Sequence, residues 1–282
     1  MIDLAINSHS QDTLSVKNVD STIYVVKTFY SNLQRAEKNV AKQREFPSFY
    51  DGVTRINAAQ VTDFVVDEHH VELTMPFVEG LVGPEYAVHL TRAKAKTLAA
   101  ALSMLLYKEL ALSTDMTCPS SMFLKKAEEI RSKVDEPGML QLIDAAIEKI
   151  RQLDSILLIP QGPCHGDLTL SNVIYDHQGG VTLIDFLDTY LESPLQDLAK
   201  LKQDFTYGWS FRHCPVPIRI KSEIFCSMHA PAAITHIERM YPRQSKVMTL
   251  MTLLRIAPYI KDDITEQWLK NQLGRFFESE CW

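Results

Sequence analysis

The chain has 282 residues, 46% of them hydrophobic and 23% charged, with a formal net charge of -6. That composition suits a globular fold with one large core or two modest ones, and excludes fibrous and extensively disordered classes. Acidic and basic residues are interspersed, so there is no basic face for nucleic acid or an anionic membrane, and neither is expected as a partner. No window approaches the roughly 20 apolar residues that span a bilayer. The start, MIDLAINSHSQDTLSV, has no basic region followed by a long apolar stretch, so a cytoplasmic protein without membrane insertion is expected. Cys118, Cys164, Cys214, Cys226 and Cys281 are odd in number and form no CxxC pair, which favours reduced thiols over disulfides or structural zinc.

In chain order, short β-like runs come first: STIYVVKTFY (21–30), VTDFVVD (61–67) and HVELTMPF (70–77). Between the first two, NLQRAEKNVAKQRE (32–45) is rich in helix formers and is ended by Pro47. After Gly80, Gly83 and Pro84 the periodicity predicts long helices over roughly 85–113, 120–133 and 136–153. The run CHGDLTLSNVIYDHQGGVTLIDFLD (164–188) interrupts them, with NVIYD, a Gln178-Gly179-Gly180 turn and GVTLID predicting a β-hairpin. Helices resume through LQDLAKLKQDF and reach EQWLKNQLGRFF near the carboxyl end. These patterns imply an α+β chain in which a small β-rich lobe with one helix (1–79) precedes a larger helical lobe (80–282).

The interrupting run carries the chemistry. Asp167 and Asn172 stand five apart, and the hairpin returns Asp185 beside Asn172. Phosphoryl transfer needs an acceptor hydroxyl aimed at a γ-phosphate and metal ions to neutralise developing charge. Magnesium takes oxygen donors and keeps several waters, so Asn172 and Asp185 are its candidate ligands. Asp167 is then free to receive the acceptor's proton. His165, Asp167, Asn172 and Asp185 follow the order of a kinase catalytic loop and its metal-binding Asp.

HGDLTLSNVIY followed by LIDF resembles the aminoglycoside phosphotransferase and choline kinase family, small-molecule kinases with a protein-kinase-like two-lobed fold. The resemblance implies that Asp167 is the catalytic base, that Asn172 and Asp185 bind Mg²⁺, and that His165 braces the loop. It also implies that Asp197, in SPLQDLAKL, holds the loop backbone. Only nine residues lie between Leu187 and Asp197, which leaves no room for a peptide-docking segment and points to a small-molecule hydroxyl acceptor. Upstream, Lys27 in YVVKTF resembles the strand lysine that holds nucleotide phosphates, with Glu37 as its helix partner and Glu45 as the alternative. ELTMPFVEG (72–80) resembles the hinge beside the adenine ring, with Met75, Phe77 and Val78 as candidate contacts. ATP is the implied nucleotide, with GTP open.

Two features depart from the family. No glycine occurs from Met1 to Asp51, so the phosphate loop is sought in AINSHSQDTLSVKN, where Ser8, Ser10 and Thr13 offer donors. Leu187 replaces the acidic residue that many relatives carry after Asp-Phe, leaving Asp188 and Glu192 as substitutes. Acceptor residues are sought in DFTYGWSFRHCP (204–215), at Asp204, Tyr207, Trp209 and Arg212. The expected function is phosphorylation of a sugar, amino sugar or amino alcohol, in bacterial surface-polysaccharide or phospholipid-precursor synthesis by analogy. Alternatives are an aminoglycoside-inactivating enzyme and a nucleotide-binding pseudokinase. A monomer or homodimer is expected.

Overall fold

The computed structural model describes residues 12–50 and 52–279. Ser8 and Ser10 of the expected phosphate loop lie outside them. β1 (Thr13–Val19) and β2 (Thr22–Phe29) form an antiparallel hairpin. Their turn, Asp20-Ser21, has both φ angles positive, at 49° and 68°. A two-residue turn of this hand matches the strand twist and usually takes glycine; here Asp and Ser accept the left-handed conformation instead. β2 continues into β6 (Val71–Pro76) and then β5 (Asp63–Val66), giving the order β1-β2-β6-β5. Helix α1 (Leu33–Glu45) lays Ala36, Val40 and Gln43 on this sheet, where they join Phe29, Ala59, Val71, Leu73 and Met75 in a small core. The i, i+4, i+7 spacing of those three residues puts one helix face inward.

A second sheet links the two parts of the chain. β3 (Phe49–Tyr50) and β4 (Arg55–Ala58) join β10 (Val181–Leu183) and β9 (Val173–Tyr175) in the order β3-β4-β10-β9, with β4 parallel to β10. The β9–β10 hairpin is the expected one, and Asp176 closes its turn by accepting from Gln178 N and Gly180 N at 2.8 Å each. The connection after β6 runs hard against β9. A Cβ on Gly80 would sit 2.7 Å from the Tyr175 carbonyl oxygen, and Leu81 exchanges two backbone bonds with Tyr175 at 3.0 Å.

The rest is mainly helical: α2 (Glu85–His89), α3 (Arg92–Ala111), α4 (Ser121–Arg131), α5 (Pro137–Arg151), α6 (Pro194–Phe205), α7 (Val216–His229), α8 (Ala232–Met240), α9 (Pro242–Leu254) and α10 (Asp263–Ser279). The single helix expected over 85–113 is two. The Thr91 side chain accepts from Lys94 N and starts α3, while Leu90 is extended. β3 and β4 fall outside the β-like runs named from the sequence, and in the helical part β7 (Thr114–Pro119) and β8 (Ile156–Gln161), which pair antiparallel, were not anticipated. α6 lies at the centre of the large core: its Leu195, Leu198, Ala199 and Leu201 are fully buried, and it packs along α9. Each such leucine contributes about 1.5–3 kcal/mol of apolar burial, so α6 is a fixed platform.

Candidate active site

The residues of the catalytic run meet on one face of α6. Ser193 caps that helix by accepting from Leu195 N, and Pro194 occupies its first turn. Asp197, fully buried, accepts from the N–H groups of His165 and Gly166. Lys200, three residues on, reaches Asp167 Oδ1 at 2.9 Å. Asp204, a further turn along, accepts from Leu170 N and from Ser210 N at 2.8 Å. Residues three and four apart share a helix face, so a single helix grips the loop at its start, middle and end. Burial pushes both Asp197 and Asp204 up; for Asp197, His165, Lys42 and the backbone N–H groups oppose it, and for Asp204 chiefly the N–H groups of Leu170 and Ser210.

Asp167 is held from both sides. Its Oδ1 faces Lys200, and its Oδ2 accepts from Asn172 Nδ2 at 3.0 Å. Burial works against its charge, but Lys200 outweighs it and holds the carboxyl below the usual range. His165 fixes the loop as a neutral ring: Nε2 donates to the Ile184 carbonyl at 2.7 Å and Nδ1 accepts from Asp167 N at 3.1 Å. Burial lowers its proton affinity in agreement with that pattern. Gly166 has φ +88°, and a Cβ there would lie 2.1 Å from the Leu187 carbonyl oxygen. Only glycine allows that approach.

Asp185 follows β10 with φ 60°, a left-handed conformation that turns it out of the strand path. The Ile184 N–H donates to the Asn172 carbonyl at 3.1 Å, which brings the two expected metal ligands alongside. Lys27 comes from β2 and pairs with Asp185 Oδ1 at 2.9 Å. Glu37 and Glu45, the two acidic residues proposed as its partner, are both exposed on α1, and the structure does not bring Glu37 to Lys27. The inward face of α1 carries Gln43 at the corresponding depth, bonded to the Ala59 carbonyl at 2.9 Å. Instead, α1 is tied to the segment after Asp185. Arg35 donates to the Asp188 carbonyl, Asn39 Oδ1 accepts from Asp188 N, and Lys42 donates to the Leu187 carbonyl at 2.9 Å. Lys42 also pairs with Glu192 at 2.5 Å and lies 3.5 Å from Cys164 Sγ. Asp188 and Glu192 therefore both face α1. Beneath them, Glu109 of α3 is fully buried; burial and the charge of Asp197 hold its carboxyl well above the usual range.

Of the hinge candidates, Met75 is buried against Gln43, Phe77 donates its N–H to the Ile23 carbonyl at 2.8 Å, and Val78 is half-buried. Thr13, at the start of β1, is exposed opposite Thr28. The acceptor candidates are otherwise engaged. Both oxygens of Asp204 serve backbone groups, Oδ2 accepting from Leu170 N of the loop and Oδ1 from Ser210 N beyond α6. Arg212 stacks 3.5 Å over the Trp209 ring and donates to Thr265 Oγ1, while Trp209 meets Trp268 edge to face at 5.2 Å. Tyr207 is buried, accepts from Trp268 Nε1 through its carbonyl, and lines a cavity of about 450 Å³ with Lys202, Arg275 and Glu278. Sequence reasoning missed Lys200, Lys42 and Glu109. The first had a signal in the three- and four-residue steps Asp197–Lys200–Asp204; the other two are visible only once α1 and α3 pack against the loop.

A small antiparallel sheet with one helix, a hairpin bearing Asn172 and Asp185, and a helix-held HGD loop together define a protein-kinase-like small-molecule kinase. The chain belongs to the phosphotransferase enzyme family, which matches residues 15–218. The structure of aminoglycoside phosphotransferase APH(4)-Ia superposes with a TM-score of 0.60 at 11% identity, over 98% of this chain and 93% of that one. Aminoglycoside phosphotransferase APH(2")-IIia, solved with GDP and kanamycin, gives 0.55 at 14% identity over 95% and 94%. Choline kinase LicA from Streptococcus pneumoniae gives 0.51 at 14% identity over 95% and 90%. No curated protein matches the sequence. At these identities the structural likeness is one of fold, and the family supplies the reaction class, transfer of a phosphoryl group to a small molecule.

Proposed function

We propose that the chain transfers the γ-phosphoryl group of ATP to a hydroxyl of a small metabolite, with residues 1–79 holding the nucleotide and 80–282 carrying the chemistry. The observation that carries this reading is that the Asp167–Asn172 and Asp185–Lys27 pairs, drawn from three separate segments, are held alongside each other through the Ile184–Asn172 backbone bond. The acceptor oxygen forms a bond to the γ-phosphorus as its proton passes to Asp167. The bond from that phosphorus to the bridging oxygen breaks, and ADP leaves with the electron pair. A carboxylate held below the usual range is a weak base, suited to a loose transition state in which it aligns the hydroxyl and takes the proton late. Lys27 reaches the nucleotide phosphates from β2, and Val78 lies at the adenine edge. GDP in a structural neighbour keeps GTP as an alternative donor.

The donor set fits magnesium. Asp185 offers a carboxylate that is 38% exposed, and Asn172 spends its amide NH₂ on Asp167, which leaves its amide oxygen for a cation. When bound there, Mg²⁺ neutralises charge on the phosphates. In an ATP-consumption assay against sugars, amino alcohols and hydroxy acids, Asp167→Asn is expected to lower kcat by at least about 1,000-fold while leaving Mg·ADP binding within about twofold, as measured by calorimetry. Turnover retained in that variant rejects the role given to Asp167. Nucleotide binding with no turnover of any acceptor by the wild type favours a regulatory module instead.

A further inference from the structure

The acceptor side of Asp167 carries more positive charge than the base requires. Both Asp167 oxygens are already engaged, one by Lys200 at 2.9 Å and the other by Asn172 at 3.0 Å. Arg255 is a second cation in the same region. It follows α9, the helix packed along α6, and its charge lowers the proton affinity of both Asp167 and the Tyr190 phenol. Among the described residues it makes no salt bridge to a carboxylate. Arg255 Nη1 is buried and has no hydrogen-bond partner among the described residues. The Tyr190 hydroxyl, on the segment after Asp185, is buried in the same condition, and burial keeps that phenol protonated and so a donor. Gln196 Nε2, one turn before Lys200 on α6, is likewise buried and unpartnered, its residue only 1% exposed.

Buried donors without partners are expensive, at about 1–3 kcal/mol each and more when charged. Gln203 Oε1 on α6 and the Ser245 and Thr252 hydroxyls on α9 are also buried and unpartnered, but the charged member of the set is the Arg255 guanidinium, and the Tyr190 phenol and the Gln196 NH₂ add further hydrogens. A ligand group that satisfies them must therefore be rich in acceptor oxygens and negatively charged. A cationic amine would meet Lys200 and Arg255 as like charges. The net charge of -6, which by itself favours a cationic or neutral acceptor, describes the surface and not this wall.

We propose that Arg255, Tyr190 and Gln196, with Lys200 beside them, form an anion-binding wall of the acceptor site, so that the acceptor is a small hydroxyl compound bearing a carboxylate or a phosphate. This rests on Asp167 being the base that faces the acceptor. The charged group binds at Arg255, and the hydroxyl to be phosphorylated projects toward Asp167.

The test has a binding arm and a turnover arm on the full chain. In the first, inorganic phosphate and malonate are titrated at millimolar concentration against wild type, Arg255→Gln, Arg255→Lys and Tyr190→Phe, following thermal unfolding and calorimetry without nucleotide. Wild-type stabilisation by phosphate, malonate or both is expected, with affinity falling roughly 10- to 100-fold in Arg255→Gln, less in Arg255→Lys, and by a few-fold in Tyr190→Phe. Tyr190→Phe removes only an unpartnered hydroxyl and keeps the test readable should Arg255→Gln fold poorly. Phosphate alone indicates a phosphorylated acceptor and malonate alone a carboxylate. Neither anion stabilising the wild type more than the variants overturns the proposal. In the second arm, D-glycerate, 4-hydroxybutyrate and glucose 6-phosphate are compared with choline, glucose and kanamycin as acceptors. Turnover confined to the anionic set, with the Arg255→Gln defect mainly in the acceptor KM, supports the proposal. Efficient turnover of choline, glucose or kanamycin, unaffected by Arg255→Gln, overturns it while leaving the kinase reading intact. Absence of Mg·ADP binding instead removes the kinase reading, whatever the anion titrations give.

Discussion

Replacing Lys200 with Met tests the electrostatics of the site most directly. The Lys200–Asp167 pair is 2.9 Å long with side chains 13% and 30% exposed, so water screens it only in part. At an effective dielectric constant of about 20, two unit charges at that separation attract by about 6 kcal/mol. Burial of Asp167 opposes that attraction, and an opposite charge this close to a carboxyl normally shifts its titration by about 1–3 units. In Lys200→Met the opposition from burial is left largely alone, and Asp167 binds its proton at higher pH. The acid limb of the kcat/KM profile is then expected to move up by at least about one pH unit, with Lys200→Arg keeping it near the wild-type position. The stability consequence has a definite sign. In the wild type, the depressed Asp167 contributes stability above its unfolded value that is lost as pH falls through its folded value. In Lys200→Met the raised group contributes a penalty that grows as pH rises above about 4. The assay is a set of initial rates from pH 4.5 to 8.5 with urea melts across the same range. Superimposable acid limbs for wild type and Lys200→Met would refute the claim that Lys200 sets the charge of the base.

Two further outcomes follow from the packing of the loop. Gly166→Ala places a Cβ 2.1 Å from the Leu187 carbonyl oxygen at φ +88°; a stability loss of about 2–4 kcal/mol and loss of most turnover are expected, checked by urea unfolding and initial rates. Glu109→Gln is expected to be more stable than wild type by a margin that widens with pH between about 5 and 8. The wild type must take up a proton at Glu109 on folding above its unfolded value near 4.5, losing up to about 1.4 kcal/mol per pH unit. Parallel stability curves for the two proteins would show that Glu109 folds ionised.

The spacing in the sequence was enough to find the catalytic loop, because HGD, Asn172 and Asp185 are joined by a short hairpin whose geometry is local. The β2 and β6 strands and helix α1 were legible for the same reason, each being one uninterrupted periodic run. What failed to show was long-range. β7 and β8 are paired strands with 36 residues lying between their nearest partners in register, Pro119 and Ile156, and neither has strict alternation to announce it. The long pattern over 85–113 hid a break because Thr91 and Leu90 differ from their neighbours only in capping, not in hydrophobic period. Glu37 looked suitable by its distance from Pro47, but helix phase decides: Ala36, Val40 and Gln43 point inward, so Glu37 turns to solvent. The aromatic and basic run 204–215 read as a binding surface because stacking of Arg212 on Trp209 uses the same residue types as a ligand cage. Lys200 was signalled only by its helical spacing from Asp197 and Asp204, and Arg255 had no distinguishing neighbourhood until α6 and α9 were laid side by side.

The parallel pairing of β4 with β10 bears on how a nucleotide gets in and out. Val181, Thr182 and Leu183 are matched with Ile56, Asn57 and Ala58, so the small sheet-and-helix part is stitched to the catalytic hairpin by a strand ladder of its own, across β10 and β9 from the point where Leu81 bonds to Tyr175. A body held by a strand ladder as well as by the connection at Gly80 cannot swing open like a clam about that connection without tearing the ladder. Access then falls to the far edge, where β1, among the described residues, pairs with β2 alone. Exchange of product nucleotide is better pictured as the lifting of a flap than as the parting of two jaws, and its rate would answer to substitutions in the Asp20-Ser21 turn more than to changes near Gly80.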